Sequence, residues 1–73
     1  MTKISKALIS VSDKSGLDGL LECLKNHHVE MISTGGTYQY IKDKGYDCVE
    51  ISMEIYNYII YYFANSFYHF FFN

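Results

Sequence analysis

The residues that could do chemistry lie in two short polar stretches. The first is Ser10-Val11-Ser12-Asp13-Lys14-Ser15-Gly16, and the second is Thr34-Gly35-Gly36-Thr37. Both supply hydroxyl donors and glycine, and the first adds one ammonium group. If each opens a helix, the unpaired backbone N–H groups of the first turn add donors and partial positive charge. Such a set suits an oxyanion, above all a phosphate, with Lys14 as a point charge on it. Ser10, Ser12, Asp13, Lys14, Thr34, Gly35, Gly36 and Thr37 are therefore the candidate binding residues. Taken alone, the first stretch reads equally well as an ordinary helix cap. Neither stretch has the G-x-G-x-x-G of a dinucleotide fold or the G-x-x-x-x-G-K-[ST] of a P-loop.

Few other residues invite a chemical reading. His27 and His28 are adjacent, and neighbours at a helix end point in different directions. A solvated helix terminus is expected there rather than a metal site. Cys23 and Cys48 form no C-x-x-C pair, and with no leader-like start they read as two buried, reduced thiols of a cytosolic protein. No catalytic residue and no metal ligand set is assigned.

Those two stretches need strands before them and helices behind them. Lys6 to Val11 is a short, mostly apolar run that suits a strand buried on both faces of a parallel sheet. Leu17, Leu20, Leu21 and Leu24 then fall on one helical stripe. Val29 to Ser33 predicts a second strand, Tyr38 to Lys44 a second helix, and Gly45 its stop. Asp47 to Ile51 predicts a third strand. The order is β-α-β-α-β, with both polar stretches at the carboxyl ends of strands. Open α/β sheets bind ligands at that edge, and right-handed crossovers set the two turns side by side.

At 73 residues, with a net charge of −2, the chain is one small domain and carries no basic field for nucleic acid. Its composition breaks after Ser52. Residues 53–73 are almost wholly Tyr, Phe, Ile and Asn, with Glu54 the single acid and no lysine.

The run from Lys6 to Gly16, followed by Ser33-Thr34-Gly35-Gly36-Thr37, resembles the amino terminus of the bifunctional purine-biosynthesis family. That family joins AICAR formyltransferase to IMP cyclohydrolase. The resemblance extends from about Lys6 to Ser52 and implies an α/β fold. This would be part of a methylglyoxal-synthase-like (Rossmann-like) doubly wound parallel sheet, with the aromatic tail after it. It implies the ring closure of formyl-AICAR to IMP. The residues matching Ser12, Asp13, Lys14, Thr34, Gly35, Gly36 and Thr37 would bind the nucleotide, with Ser10 in the same turn. The implied partner is a purine nucleotide held by its phosphate, and the family is homodimeric and cytoplasmic. No cofactor is implied for this part, since 10-formyltetrahydrofolate is the formyl donor of the family's other domain. After the third strand the family's acidic, Pro-containing loop and Arg-Val-Lys-Thr-Leu-His-Pro segment find no counterpart here. The expectation is a chain that keeps part of the phosphate-binding edge and is inactive by itself. Methylglyoxal synthase and the nucleotide-sensing module of carbamoyl-phosphate synthetase share the fold. The first polar stretch favours the purine family over both.

The tail calls for its own reading. Ile55 to Phe72 is eighteen residues, long enough to cross a bilayer as a helix. Asn57, Asn65, Ser66, His69 and the tyrosines interrupt it, and a membrane anchor is not expected. Apolar residues fall all round, so no single amphipathic stripe is expected either. Tyr, Phe, Ile and Asn codons can consist of A and T alone. Residues 1–52 are accordingly read as the family's domain and 53–73 as an aberrant, aggregation-prone tail from an intron or shifted frame. Three strands with an uncovered sheet edge are expected to be marginally stable.

Overall fold

The computed structural model describes residues 5–72. Its elements in order are β1 (Lys6–Val11), α1 (Leu17–Asn26), β2 (Glu30–Ser33), α2 (Gly35–Asp43), β3 (Val49–Glu50), α3 (Met53–Phe63), a 3₁₀ turn (Ala64–Ser66) and β4 (Tyr68–Phe72). The four strands form one parallel sheet in the order β3-β2-β1-β4. The chain thus steps outward from β1 to β3, then returns through α3 to the far side of β1.

Period-2 alternation along β1 divides the core. Ala7, Ile9 and Val11 face one layer, where they pack with Leu17, Leu21 and Leu24 of α1, Met31 and Ile41. Leu8 and Ile32 face the other layer and meet Tyr56 of α3, flanked by Ile51, Ile59, Ile60 and Phe67. Helices therefore cover both faces of the sheet, which makes the fold a doubly wound α/β fold. β1 is its centre, since Ala7, Leu8 and Ile9 are wholly buried. Each large apolar side chain there contributes about 1.5–3 kcal/mol by leaving water.

Polar contacts tie the first layer together at its rim. The Tyr40 hydroxyl donates to Asp18 at 2.7 Å, and the Tyr46 hydroxyl donates to Glu22 at 2.7 Å. Both helices of that layer end in the same motif. Gly45, at φ +91°, closes α2, with its N–H on the Lys42 carbonyl and the Tyr46 N–H on that of Ile41. At the end of α1, His28 takes the left-handed position at φ +57°, and Val29 N–H reaches the Leu24 carbonyl. Both are Schellman closures. The His27–His28 pair therefore serves as a helix terminus, and no cluster of three or more potential metal ligands forms among the described residues.

Four differences from the expected elements have plain causes. α2 begins at Gly35 rather than Tyr38, because a glycine in the left-handed region can open the helix directly. β3 shrinks to Val49–Glu50, since at the sheet edge it finds pairing partners only at Ile32 and Ser33. The aromatic tail supplies α3 and β4. β4 then fills the edge expected to stand open beside β1, pairing from Ala7↔Tyr68 to Val11↔Phe72. No helix among the described residues is long and apolar enough to cross a membrane.

Candidate functional site

β1 and β2 are parallel neighbours, in register from Lys6↔Glu30 to Ile9↔Ser33. Their carboxyl ends therefore emerge together, and the turns into α1 and α2 share one edge of the sheet.

The first turn is held by its own side chains. Asp13 accepts a hydrogen bond from the Ser15 N–H at 2.9 Å. That bond, reinforced by the Ser15 side chain and by Lys14, keeps the Asp13 carboxyl below the usual carboxylate range. Gly16 sits at φ +76° immediately before α1, a conformation that other residues adopt only with strain. The Lys14 ammonium folds back over the end of β1 and donates to the Val11 carbonyl at 2.6 Å and that of Ser12 at 3.5 Å. Ser12 and Asp13 remain exposed.

The second turn is more open. Thr34 is extended at the start of α2, and its side chain makes no capping bond. Gly35, at φ +57°, and Gly36 are exposed, with nothing within 4 Å of the space a Cβ would take at either. The first turn of α2 thus has no side-chain cap and an uncrowded glycine surface, and uncapped N–H groups at a helix start are where an anion can be taken up.

Two expected residues have other duties. Thr37 is buried, and its hydroxyl accepts from the Val11 N–H at 3.2 Å while donating to the Val11 carbonyl at 3.1 Å. It therefore positions α2 against β1 rather than offering its hydroxyl to the edge. Ser10 shares the α3 face of β1 with Leu8, and its hydroxyl is in hydrogen-bonding contact with that of Tyr56. Burial raises the Tyr56 phenol above its ordinary pKa, and the Ser10 contact opposes that shift. The Tyr56 hydroxyl also lies 3.1 Å from His69 Nε2. The period-2 rule along β1 already separates Ser10 from Ile9 and Val11. Ser12, Asp13 and Lys14 follow β1, and Thr34, Gly35 and Gly36 follow β2, at the same edge of the sheet.

Residues not singled out from sequence complete the surroundings. The Ser33 hydroxyl is buried and donates to the Ile9 carbonyl, locking β2 to β1 just below the second turn. Where strand order reverses between β1 and β4, a cleft of about 290 Å³ opens beside the first turn. Val11, Asp13, Ser15, Leu17, Leu20 and Phe70 line it. Phe70 could not be placed from sequence, because its partner Ile9 lies far away along the chain. The two thiols are not both buried as expected: Cys23 falls off the Leu17-Leu21-Leu24 stripe of α1 and is exposed, whereas burial pushes the half-buried Cys48 up to about 11.

No family model matches the chain, and no solved structure matches it. Among curated proteins it is similar to the bifunctional purine biosynthesis protein PurH of Magnetococcus marinus, 46% identical over 52 residues, which are 71% of this chain and 10% of that protein. It is also similar to PurH of Clostridium kluyveri, 51% identical over 49 residues, 67% of this chain and 10% of that protein. PurH of Clostridium botulinum is 48% identical over 48 residues, 66% of this chain and 10% of that protein. The chain spans about a tenth of the length of the curated relatives it matches.

Proposed function

Over the matched stretch the chain belongs to the bifunctional purine biosynthesis family, and on that footing we propose that its β1/β2 edge binds a purine nucleotide of the IMP and formyl-AICAR class by its phosphate. One observation carries the reading. The uncapped, glycine-lined start of α2 stands beside a turn that holds Ser12 and Lys14. The phosphate takes the N–H groups of Gly35 and Gly36, with the Thr34 and Ser12 hydroxyls as further donors. Lys14 leaves the Val11 carbonyl to meet it, exchanging a neutral acceptor for a charged one. Asp13 orders the turn through Ser15 rather than touching the anion, which its negative charge would repel.

The family reading carries with it a cytoplasmic setting and no cofactor for this part. It also assigns residues 1–52 to the family's domain and 53–73 to a segment outside it. The matched lengths of 48 to 52 residues support that division. The 73-residue chain by itself is expected to cyclise formyl-AICAR no faster than its Lys14→Ala variant, because the two turns present no unengaged general base among the described residues.

Ligand-dependent melting tests the proposal. IMP is expected to raise the melting temperature, and Lys14→Ala to reduce that rise. Dihydroxyacetone phosphate is expected to do less than IMP at equal concentration. Preference for the triose phosphate would overturn the assignment.

A further inference from the structure

α1 carries a second stripe beside the one that enters the core. Leu20, Cys23, Leu24 and His27 fall at i, i+3, i+4 and i+7, so they share one side of the helix. Across from them, β4 pairs Tyr68 with Ala7 and Phe70 with Ile9, which sets both rings on the α1 face of the sheet. β4 is an edge strand. Between it and the second stripe of α1 a cavity of about 260 Å³ remains, lined by those six residues and Val29. It lies away from the two polar turns, since Cys23 and His27 are at the end of α1 and Tyr68 stands beside the start of β1.

The lining says what the cavity takes. A cavity of about 150 Å³ holds a benzene ring, so this one has room for a ring with a further substituent. None of its lining residues is Asp, Glu, Lys or Arg, and an ionic ligand would find no fixed counter-charge. Its polar groups are the Cys23 thiol, the His27 imidazole and the Tyr68 hydroxyl, on otherwise apolar walls, which is the composition of a small-molecule site. Cys23 is free and exposed. His27 Nδ1 lies 2.9 Å from the Cys23 carbonyl oxygen, which only accepts, so that nitrogen carries its hydrogen. It also lies 3.8 Å from Cys23 Sγ, where an N–H favours the thiolate, the nucleophilic form. No group of three or more potential metal ligands forms among the described residues. A soft nucleophile on the rim of a neutral apolar cavity suits a soft carbon electrophile.

We propose that this cavity binds a neutral α,β-unsaturated carbonyl compound bearing an aromatic or short aliphatic group, and that Cys23 captures it covalently. The thiol proton passes to water, and the sulfur forms a bond to the β-carbon. The electron pair of the carbon–carbon double bond moves to the α-carbon, which takes a proton from water. The net change adds S–H across the double bond, with no oxidant and no leaving group. The apolar group rests against Leu20, Leu24 and Phe70 and holds the β-carbon near the sulfur. The site is independent of the nucleotide reading, because it uses none of the residues of the two turns.

Labelling of the full chain with N-phenylmaleimide and N-methylmaleimide tests the capture, with adducts at Cys23 and Cys48 followed separately by peptide mass. The same two rates on the chain unfolded in urea remove the intrinsic difference between the reagents. Folding is expected to raise the preference of Cys23 for the phenyl reagent at least about tenfold, the factor supplied by burying roughly two methylene groups' worth of apolar surface. The rate with that reagent is expected to saturate with its concentration. N-Phenylsuccinimide, which keeps the ring but lacks the double bond, is expected to slow it. Leu20→Glu is expected to abolish the preference, whereas His27→Asn slows both reagents alike and keeps it. The competition by N-phenylsuccinimide needs no variant and decides the matter should Leu20→Glu lose its helical circular dichroism. A preference no greater than that of the unfolded chain would overturn the proposal. So would a rate that stays linear in reagent concentration, or no protection by the succinimide.

Discussion

Thr37 is the residue on which the geometry of the edge turns. Its hydroxyl satisfies both backbone groups of Val11, and all three groups are out of water. Thr37→Val keeps the shape but leaves the Val11 N–H unpaired and its carbonyl with the Lys14 ammonium alone, which costs about 1–3 kcal/mol. The urea midpoint should fall accordingly, and Thr37→Ser should restore most of the loss. Cys48 gives a second residue-scale outcome. Its thiol rises from an ordinary value of 9.0 to about 11 through burial. Between those values the folded chain keeps a proton that the unfolded chain has lost. Stability is therefore full below about 9 and falls as the pH rises toward 11. Urea midpoints across that range should decline, and Cys48→Ala should flatten the first part of the decline. Labelling with iodoacetamide near neutral pH should mark Cys23 well before Cys48.

At the scale of elements, α1 and α2 close in the same way with different residues. Gly45 adopts its left-handed position freely, whereas His28 holds the equivalent position at φ +57° with a Cβ. His28→Gly should therefore stabilise the chain by up to ~1 kcal/mol, and Gly45→Ala should cost about as much. Paired thermal melts of the two variants, shifting in opposite directions, would check both. The elements also show what sequence could and could not tell. β1 and the leucine stripe of α1 were legible because periodicity and burial agree there. Gly45 was legible because helix ends ask for that residue. α3 was not, because a helix apolar all round has no stripe to detect. Nor was β4, whose pairing with β1 joins residues about sixty positions apart and leaves no local signal. At the site, donor-rich turns could be read directly. The direction of the Lys14 ammonium and the engagement of Thr37 could not, since both depend on where the end of β1 lies in space.

For the molecule as a whole, the tail and the family-like stretch are mechanically one body. Ala7, Leu8 and Ile9 at the centre of β1 are wholly buried because β4 pairs along its outer edge and Tyr56 covers Leu8. A chain ending at Ser52 would expose that edge and the lower face of the sheet to water. Residues 1–52 alone are expected to lose the cooperative melt of the full chain in circular dichroism. A sharp transition retained by that shorter chain would show that the first layer is sufficient by itself.

The bond from the Val11 N–H to Thr37 also provides a built-in reporter. That amide lies at the last position of β1, where strand ends commonly fray and exchange quickly. Here its protection from deuterium depends on α2 staying docked. A slow Val11 resonance would therefore certify an assembled edge before any nucleotide is added. Its quickening, while the amides of Leu8 and Ile9 stay slow, would mark the moment α2 lifts away from an otherwise intact sheet.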